Sequence, residues 1–496
     1  MGHRPIEIGT VNYGLSETSL LWSQAESTTS KKHEVTIEGL SADVKYYYSV
    51  SGSSGGRSDQ YFVTAPGPGA LKKIRIWVIS DWGQDDTSQN LRRAETVNVW
   101  RSFNEGSYHA DLALSVGDQT QNDTESDYSS TFFDGLADVL KNTPLYTAAG
   151  NHENRDKRAV YKSVFTLPEL GQAGGYPSGT EDYYSIDVGN VHIVMLSSEG
   201  VSVDGEQTRW LQDDLENNAS DWLLAFHHEP MQSAKYRPLE MAPPFTTERE
   251  NWLPLLENAG VDLIFSGHNH VYERSYLVDN LTGDSNEVTP SNRIDTGLGR
   301  PDVAGAYSKP FGCKPHKGTV FVSCPAGGFS NPTTSYASPY SYFPLYFPGP
   351  DREGSIVIDV LGRNQMNVKF LCDESDPTGA HVRDYFTIMK TDDITSVGKC
   401  DTRAPDNPRV SNYPNPFNRS TRISYSLPMD GRAVIEVYDV LGRKQASLMD
   451  AIKEKGNHTV YWDATDQEGR QVSSGVYVLR FQSNQHVSIS KMLLLK

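Results

Sequence analysis

Apolar and polar positions change their period three times along the chain. Over residues 1–65 they alternate in short runs, predicting strands at Ser19–Ser23, Glu34–Glu38, Lys45–Val50 and Gln60–Thr64. In the Tyr-rich run, Tyr46, Tyr48 and Val50 share one face while Tyr47 and Ser49 take the other. Pro66-Gly67-Pro68-Gly69 reads as a linker. After it, solid apolar runs at Ile74–Ser80, Leu112–Val116, Leu145–Ala148, Val191–Ser197, Trp222–Phe226 and Val261–Phe265 read as buried strands. Between them, Gln89–Phe103, Tyr128–Lys141, Glu206–Asn217 and Glu248–Asn258 have helical periodicity, with Trp210, Leu211 and Leu215 forming one stripe. This alternation, up to about residue 390, predicts an α/β domain whose sheet is covered by helices. Residues 279–350, rich in Gly, Pro, Asn and Tyr, interrupt it and read as a lid or rim, because long loops in compact domains are usually functional. Past a second linker, Asp401–Asn407, strands at Thr421–Leu427, Ala433–Asp439, Gly456–Trp462, Gly475–Gln482 and His486–Leu495 predict an all-β tail.

Length and charge narrow the choice. The 496 residues admit two to four domains at roughly 100–200 residues each. A net charge of −18 argues against nucleic acid as a structural partner, although bound cations can reverse the sign locally at a phosphate-handling site. Residues 405–496 depart from that balance, with 12 Lys/Arg against 9 Asp/Glu, and look like an attached module. No apolar run approaches the roughly 20 residues that span a bilayer, so no transmembrane segment is expected. The first residues have no apolar core of a signal peptide, so no signal peptide is read in this chain. Cys313, Cys324, Cys372 and Cys400 form no CxxC pair. They permit two disulfides, of which Cys313–Cys324 with Cys372–Cys400 is the economical pairing of three, or else four buried thiols.

Candidate chemistry collects where the strands end. Asp81 follows the first run, Asp118 the second, Asn151 and His152 the third, His228 the fifth, and His268 with His270 the sixth. In an α/β sheet, ligands bind beyond the carboxyl ends of the strands, so five strands would deliver these groups to one edge. Gly83, Gly117, Gly150 and Gly267 accompany them, where the chain must turn and approach closely. Carboxylate, amide oxygen and imidazole without cysteine suit Zn, Mn or Fe. Each fragment alone is a common turn or cap; the ordered set carries the inference. Alternation sends His227 and His228 to opposite faces, so only one should reach the metals; the His-x-Pro spacing and the six-residue step from Trp222 favour His228 and leave His227 to packing.

Asp81-x-Gly83, Gly117-Asp118, Gly150-Asn151-His152-Glu153, His228-x-Pro230 and Gly267-His268-x-His270 resemble the five signature blocks of the metallophosphoesterases. The DxG block and Val271-Tyr272-Glu273-Arg274 resemble purple acid phosphatases in particular, over roughly residues 20–390. Residues 1–66, with Val35-x-Ile37-x-x-Leu40 and Tyr46-x-Tyr48-x-Val50, resemble part of a fibronectin type III module, short of the seven strands of a full sandwich and so expected to be truncated, with a signal peptide cut away. The resemblance implies a two-metal site bridged by Asp118. One ion would take Asp81, Asp118 and His270; the other would take Asp118, Asn151, His228 and His268. It further implies an activated hydroxide as attacking group, with His152 stabilising charge or protonating the leaving alkoxide.

Two departures from that pattern matter. Where purple acid phosphatases carry the iron-binding Tyr, this chain has Gln121, which predicts no purple band and a divalent first metal, Zn, Mn or Fe, over iron(III). A plant-type histidine after the His-x-Pro block is replaced by Pro238, beside Lys235 and Arg237, read either as phosphate-binding or as solvated loop charges.

The tail has its own resemblance. Tyr413–Asn418, Val437–Arg443, Trp462-Asp463, Ser474–Tyr477 and the Lys491–Lys496 end are similar to the sorting domain of the bacterial type IX secretion system, which implies export across the outer membrane. The expected fold is therefore multidomain. A fibronectin type III-like module (1–66) precedes a central α/β metallophosphoesterase sandwich of two sheets flanked by helices (73–391), and an immunoglobulin-like all-β sorting sandwich (405–496) follows. The expected function is that of a secreted or cell-surface phosphomonoesterase acting on phosphate esters and delivered by the type IX machinery. A phosphodiesterase or nucleotidase on the same site, or a non-catalytic surface-binding protein with a degenerate metal site, are the alternatives.

Overall fold

The apolar runs after the first linker build two seven-stranded sheets that share one core. The structure, a computed structural model, describes the chain apart from residues 1–7, 28–31, 51–57, 84–86, 108, 199–201, 203–204, 234–244, 282–288, 296, 303–304, 328–344, 348–352, 373–380, 392–408, 414–416, 418–419, 428, 454–455, 484–485 and 495–496. The chain divides into two compact units, Met1–Asp392 and Asp393–Lys496.

In the first sheet the strands lie in the order Tyr307–Pro310, Val382–Thr391, Gln365–Cys372, Gly354–Leu361, Lys73–Ile79, Leu112–Val116, Leu145–Ala148. Its last three strands run parallel. The second sheet has the order Leu345–Phe347, Tyr272–Arg274, Val320–Ser323, Leu263–Ser266, Trp222–Phe226, Val191–Met195, Tyr184–Val188, with the four strands from Val320–Ser323 to Val191–Met195 parallel. The two-residue period sorts its side chains. Leu224 and Phe226 enter the core between the sheets, while Leu223 and Ala225 pack under Trp210, Leu211, Trp252, Leu253 and Leu256 of the helices Glu206–Asn217 and Leu253–Ala259 and the residue between helices. Trp100 of the helix Thr87–Phe103 stacks on Trp77 at 5.5 Å and covers the first sheet.

Three expectations change in the α/β part. The helix read at Glu248–Asn258 is two helices, Phe245–Asn251 and Leu253–Ala259, because Pro254 has no N–H to continue a helix and favours the first turn of a new one. Residues 279–350 are not simply a rim: Val320–Ser323 lies inside the second sheet, buried along its length. The Cys313–Cys324 disulfide is absent. Cys313 packs on the helix side of the second sheet and its thiol donates to Ser220 O at 3.4 Å, whereas Cys324 lies in the core between the sheets. Cys400, the partner expected for Cys372, lies outside the described residues.

Before the first linker, Trp22–Ala25, Thr10–Gly14, Lys45–Val50 and Tyr61–Val63 form one antiparallel four-stranded sheet. Glu34–Glu38 is not a strand. Val35 and Ile37 are half-buried between exposed neighbours, as alternation predicts, but the segment pairs with no ladder. Tyr48 Oη donates to Lys141 O at 2.7 Å, and Lys141 pairs with Asp59 at 3.0 Å, tying this sheet to the α/β part. The tail folds around its own core, with Phe417, Ile423, Ile435, Trp462, Leu479 and Phe481 buried between a three-stranded and a four-stranded sheet.

Candidate metal centre

All six metal-ligand candidates and His152 sit at the carboxyl edge of the parallel strands, where loops from both sheets meet. Asp81 N donates to Gly117 O at 3.1 Å, and Gly267 N donates to His228 O at 2.9 Å, zipping neighbouring loops within each sheet. His268 N donates to Asp81 Oδ2 at 3.1 Å, joining one sheet to the other. Close approach demands the glycines. A Cβ at Gly117 would lie 2.3 Å from His228 Nδ1, and one at Gly150 would lie 2.2 Å from Asp118 Oδ1.

The backbone adds a feature that residue spacing did not reveal. Asp81, Asp118, His268 and His270 all have left-handed conformations, with φ of 48°, 52°, 65° and 54°. Such residues cost on the order of 1–3 kcal/mol each and persist where surrounding structure over-determines them, commonly at functional sites.

Two groups of ligand atoms result. Those of Asp118, His228 and His268 lie within 4.8 Å of one another, as do those of Asp81, Asp118 and His270. Asp118 belongs to both. Asn151 joins the first group, its Oδ1 lying 2.9 Å from His268 Nδ1 and 3.1 Å from His228 Nε2. Val116 O, which can only accept, lies 2.8 Å from His228 Nδ1 and so fixes the proton there. The lone pair of Nε2 then faces Asp118 Oδ2 at 3.2 Å as well as Asn151 Oδ1. Three oxygen and nitrogen acceptors converging on one point favour positive charge between them, so the donors present fit a metal ion.

The electrostatics agree in sign. Burial alone would raise both carboxyls, but His270 holds Asp81, and His228 holds Asp118, below the usual carboxylate range. Burial would lower His228; Asp118 outweighs it and pushes the imidazole well above its ordinary value. Burial, with His228 alongside, lowers His268.

His152 stands apart from the ligand groups. Its Nδ1 lies 2.9 Å from Gln121 O, and Nε2 lies 3.7 Å from Asp118 Oδ2 on a side chain 29% exposed, open to an incoming molecule. His227 turns away, buried against Trp252 with Nδ1 3.4 Å from Glu248, on the opposite face as alternation required. Lys235, Arg237 and Pro238 lie outside the described residues.

Glu153 was quoted in a motif but given no role by sequence reasoning. Fully buried, it accepts from Asp118 N at 2.9 Å, Thr120 N at 3.1 Å and Gly150 N at 2.9 Å, fastening the second loop to the third. Burial first, then the Asp118 charge, pushes its carboxyl up to about 8. Its place two residues after a ligand in a glycine turn was the available signal. A third grouping, Glu257, Asp279 and His316, lies at the opposite edge of the sheet, where the helix Leu253–Ala259 leads into a strand; a 3.2 Å His316–Asp279 ion pair accounts for much of it.

The family model for calcineurin-like phosphoesterases matches residues 74–272, and that for a secretion system C-terminal sorting domain matches residues 411–496. Purple acid phosphatase 18 of Arabidopsis thaliana is 28% identical over 321 residues, 60% of this chain and 68% of its own length. Acid phosphatase type 7 of Mus musculus is 28% identical over 50% of this chain and 58% of its own. The solved purple acid phosphatase PPD1 from yellow lupin (Lupinus luteus) superposes with a TM-score of 0.59 at 15% identity, over 77% of this chain and 69% of its own, which shows a shared fold. The chain therefore carries a calcineurin-like phosphoesterase domain of the phosphatase type and a type IX sorting domain.

Proposed function

We propose that this calcineurin-like phosphoesterase domain is the catalytic part of an exported phosphomonoesterase that uses two metal ions bridged by Asp118. One observation carries the reading: the Asp118 carboxylate is shared by two separate groups of ligand atoms. Asp81, Asp118 and His270 would hold one ion, and Asp118, Asn151, His228 and His268 the other. When bound, a pair of divalent ions supplies Lewis acidity to phosphoryl oxygens and lowers the pKa of an attacking water.

The remaining work falls to the chain. Gln121 O orients the His152 ring by its Nδ1, leaving Nε2 to face the reacting phosphoryl group. From there His152 stabilises developing negative charge or gives a proton to the departing alkoxide. Glu153 and Val116 O hold Asp118, Gly150 and His228 in place through the bonds described. Gln121 offers no phenolate, which favours a divalent ion over iron(III) at the first position. The four strands at the amino-terminal end are read as a fibronectin type III-like module, and the tail as an immunoglobulin-like domain handed to the type IX machinery.

Metal analysis coupled to a substrate panel tests the proposal. The protein should hold about two ions per chain and hydrolyse an aryl phosphomonoester faster than the matching diester, with both properties lost in Asp118→Ala. Faster diester hydrolysis would place it among phosphodiesterases. Absence of metal and of hydrolysis in the parent protein would leave only the binding role.

A further inference from the structure

The metal centre is assembled from two sheets, so something must hold the third loop, which carries Asn151 and His152, against the second sheet. We infer that Arg158 is a positioning residue for this site, a clamp from the Asn151–His152 loop to the loop of His228. This rests on the proposed metal reading and deepens it.

Arg158 lies six residues after His152 and is only 5% exposed. Its Nη1 donates to Asp182 Oδ1 at 3.0 Å, and its Nη2 donates to Ser197 Oγ at 2.7 Å. Ser197 leaves the carboxyl end of Val191–Met195 in the second sheet, and its backbone is held on both sides by Gln207, with bonds of 2.8 Å to N and 2.8 Å to O. The next residue, Ser198, accepts from Glu229 N at 3.3 Å, and Glu229 adjoins His228. An unbroken path therefore leads from the loop of two site residues on one sheet to a ligand on the other. Asp182 is itself braced by Lys162 at 2.7 Å, so the far arm of the clamp is fixed.

Backbone strain marks the same place. Lys157 and Arg158 are consecutive non-glycine residues in the left-handed region, with φ of 55° and 63°. Two such residues in a row unwind the short turn Arg155–Arg158 and launch the helix Ala159–Val164. Conformations of this kind survive only where contacts over-determine them, and the guanidinium fork supplies those contacts. Buried as it is, Arg158 touches no substrate; it acts through the loop it holds.

Losing a group bonded directly to a metal ligand typically costs 10–100-fold in affinity or activity, and Arg158, whose bonds go to Asp182 and Ser197, is expected at the low end of that range. Arg158→Ala and Ser197→Ala, each in the full chain, are compared with the parent by calorimetric titration of Zn²⁺ or Mn²⁺ into metal-free protein, by amide exchange of residues 150–160 without metal, and by kcat and KM on an aryl monoester. Both variants should bind the ions about 10-fold more weakly and exchange faster over 150–160. Their kcat should fall about 10-fold with KM within about 2-fold, and Arg158→Lys should recover only part, since a point charge cannot fork. Ser197→Ala, a small change, decides the matter if Arg158→Ala does not fold. Parent-like metal affinity and exchange, with only a lower Tm, would overturn the inference. A parent protein that binds no metal would instead overturn the proposed function.

Discussion

Asp118 occupies a backbone conformation it does not prefer, and the atoms around it explain why it stays. Its N–H is taken by Glu153, its Oδ1 by His152 N at 3.0 Å, and its carboxylate reaches both ligand groups. Asp118→Asn keeps the volume but removes the charge that two cations would share. Metal content should fall to about one ion or fewer, and kcat/KM by more than the 10–100-fold typical of outer-shell losses; unchanged metal stoichiometry would refute the bridging role. Gly150→Ala is a subtler probe, because its Cβ would sit 2.2 Å from Asp118 Oδ1 and 2.5 Å from Asp118 N, a backbone atom that cannot swing aside. Metal affinity should drop about 10-fold with the fold intact by circular dichroism. Gln121 makes a third prediction at this scale: iron-loaded protein should show no tyrosinate charge-transfer band in its visible spectrum, and a purple solution would contradict it.

Elements show what the sequence could and could not convey. Leu112–Val116 and Trp222–Phe226 were legible to the residue because strands buried on both faces are apolar runs, and the half-buried edge strand Leu145–Ala148 was legible beside them. The candidate site was legible from the same pattern, each candidate ligand standing just beyond the end of a strand run. Val320–Ser323 was not, because four residues between Gly-rich and Pro-rich stretches carry too little pattern, and its place is set by pairing with Leu263–Ser266 and Tyr272–Arg274. The left-handed ligands and the Arg158 clamp were equally hidden, being products of loops meeting across sheets. Another hidden contact binds elements together: His192 of Val191–Met195 lies 2.7 Å from Asp187 of the preceding strand and 2.8 Å from Asp214 of the helix Glu206–Asn217. Burial alone would lower this imidazole, but Asp214 and then Asp187 push it up to about 10. A folded pKa above the unfolded value of about 6.5 means stability fully present below pH 6.5 and lost as pH rises toward 10. Tm should therefore decline between pH 7 and 10 in the parent and decline less in His192→Asn; parallel curves would show that this pair does not set the slope.

At the scale of the whole molecule, chemistry and delivery are written in separate units. Every candidate ligand lies within Met1–Asp392, and the tail buries Phe417, Trp462 and Phe481 in a core of its own. The charge imbalance divides the same way, since the tail is slightly basic while the whole chain is at −18. A module with its own core and, among its described residues, no candidate metal-ligand group should be dispensable for hydrolysis and required for export. Chain 1–392 should thus keep its metal stoichiometry and hold kcat/KM within about 2-fold of the full chain. The tail fused to an unrelated periplasmic protein should carry that cargo to the surface of a type IX-competent bacterium. The N-terminal sheet, by contrast, shares a unit with the α/β part through Tyr48, Asp59 and Lys141, so deleting residues 1–65 should lower Tm. If removing the tail abolished metal binding while removing that sheet did not, the division of labour between the two units would be the wrong one.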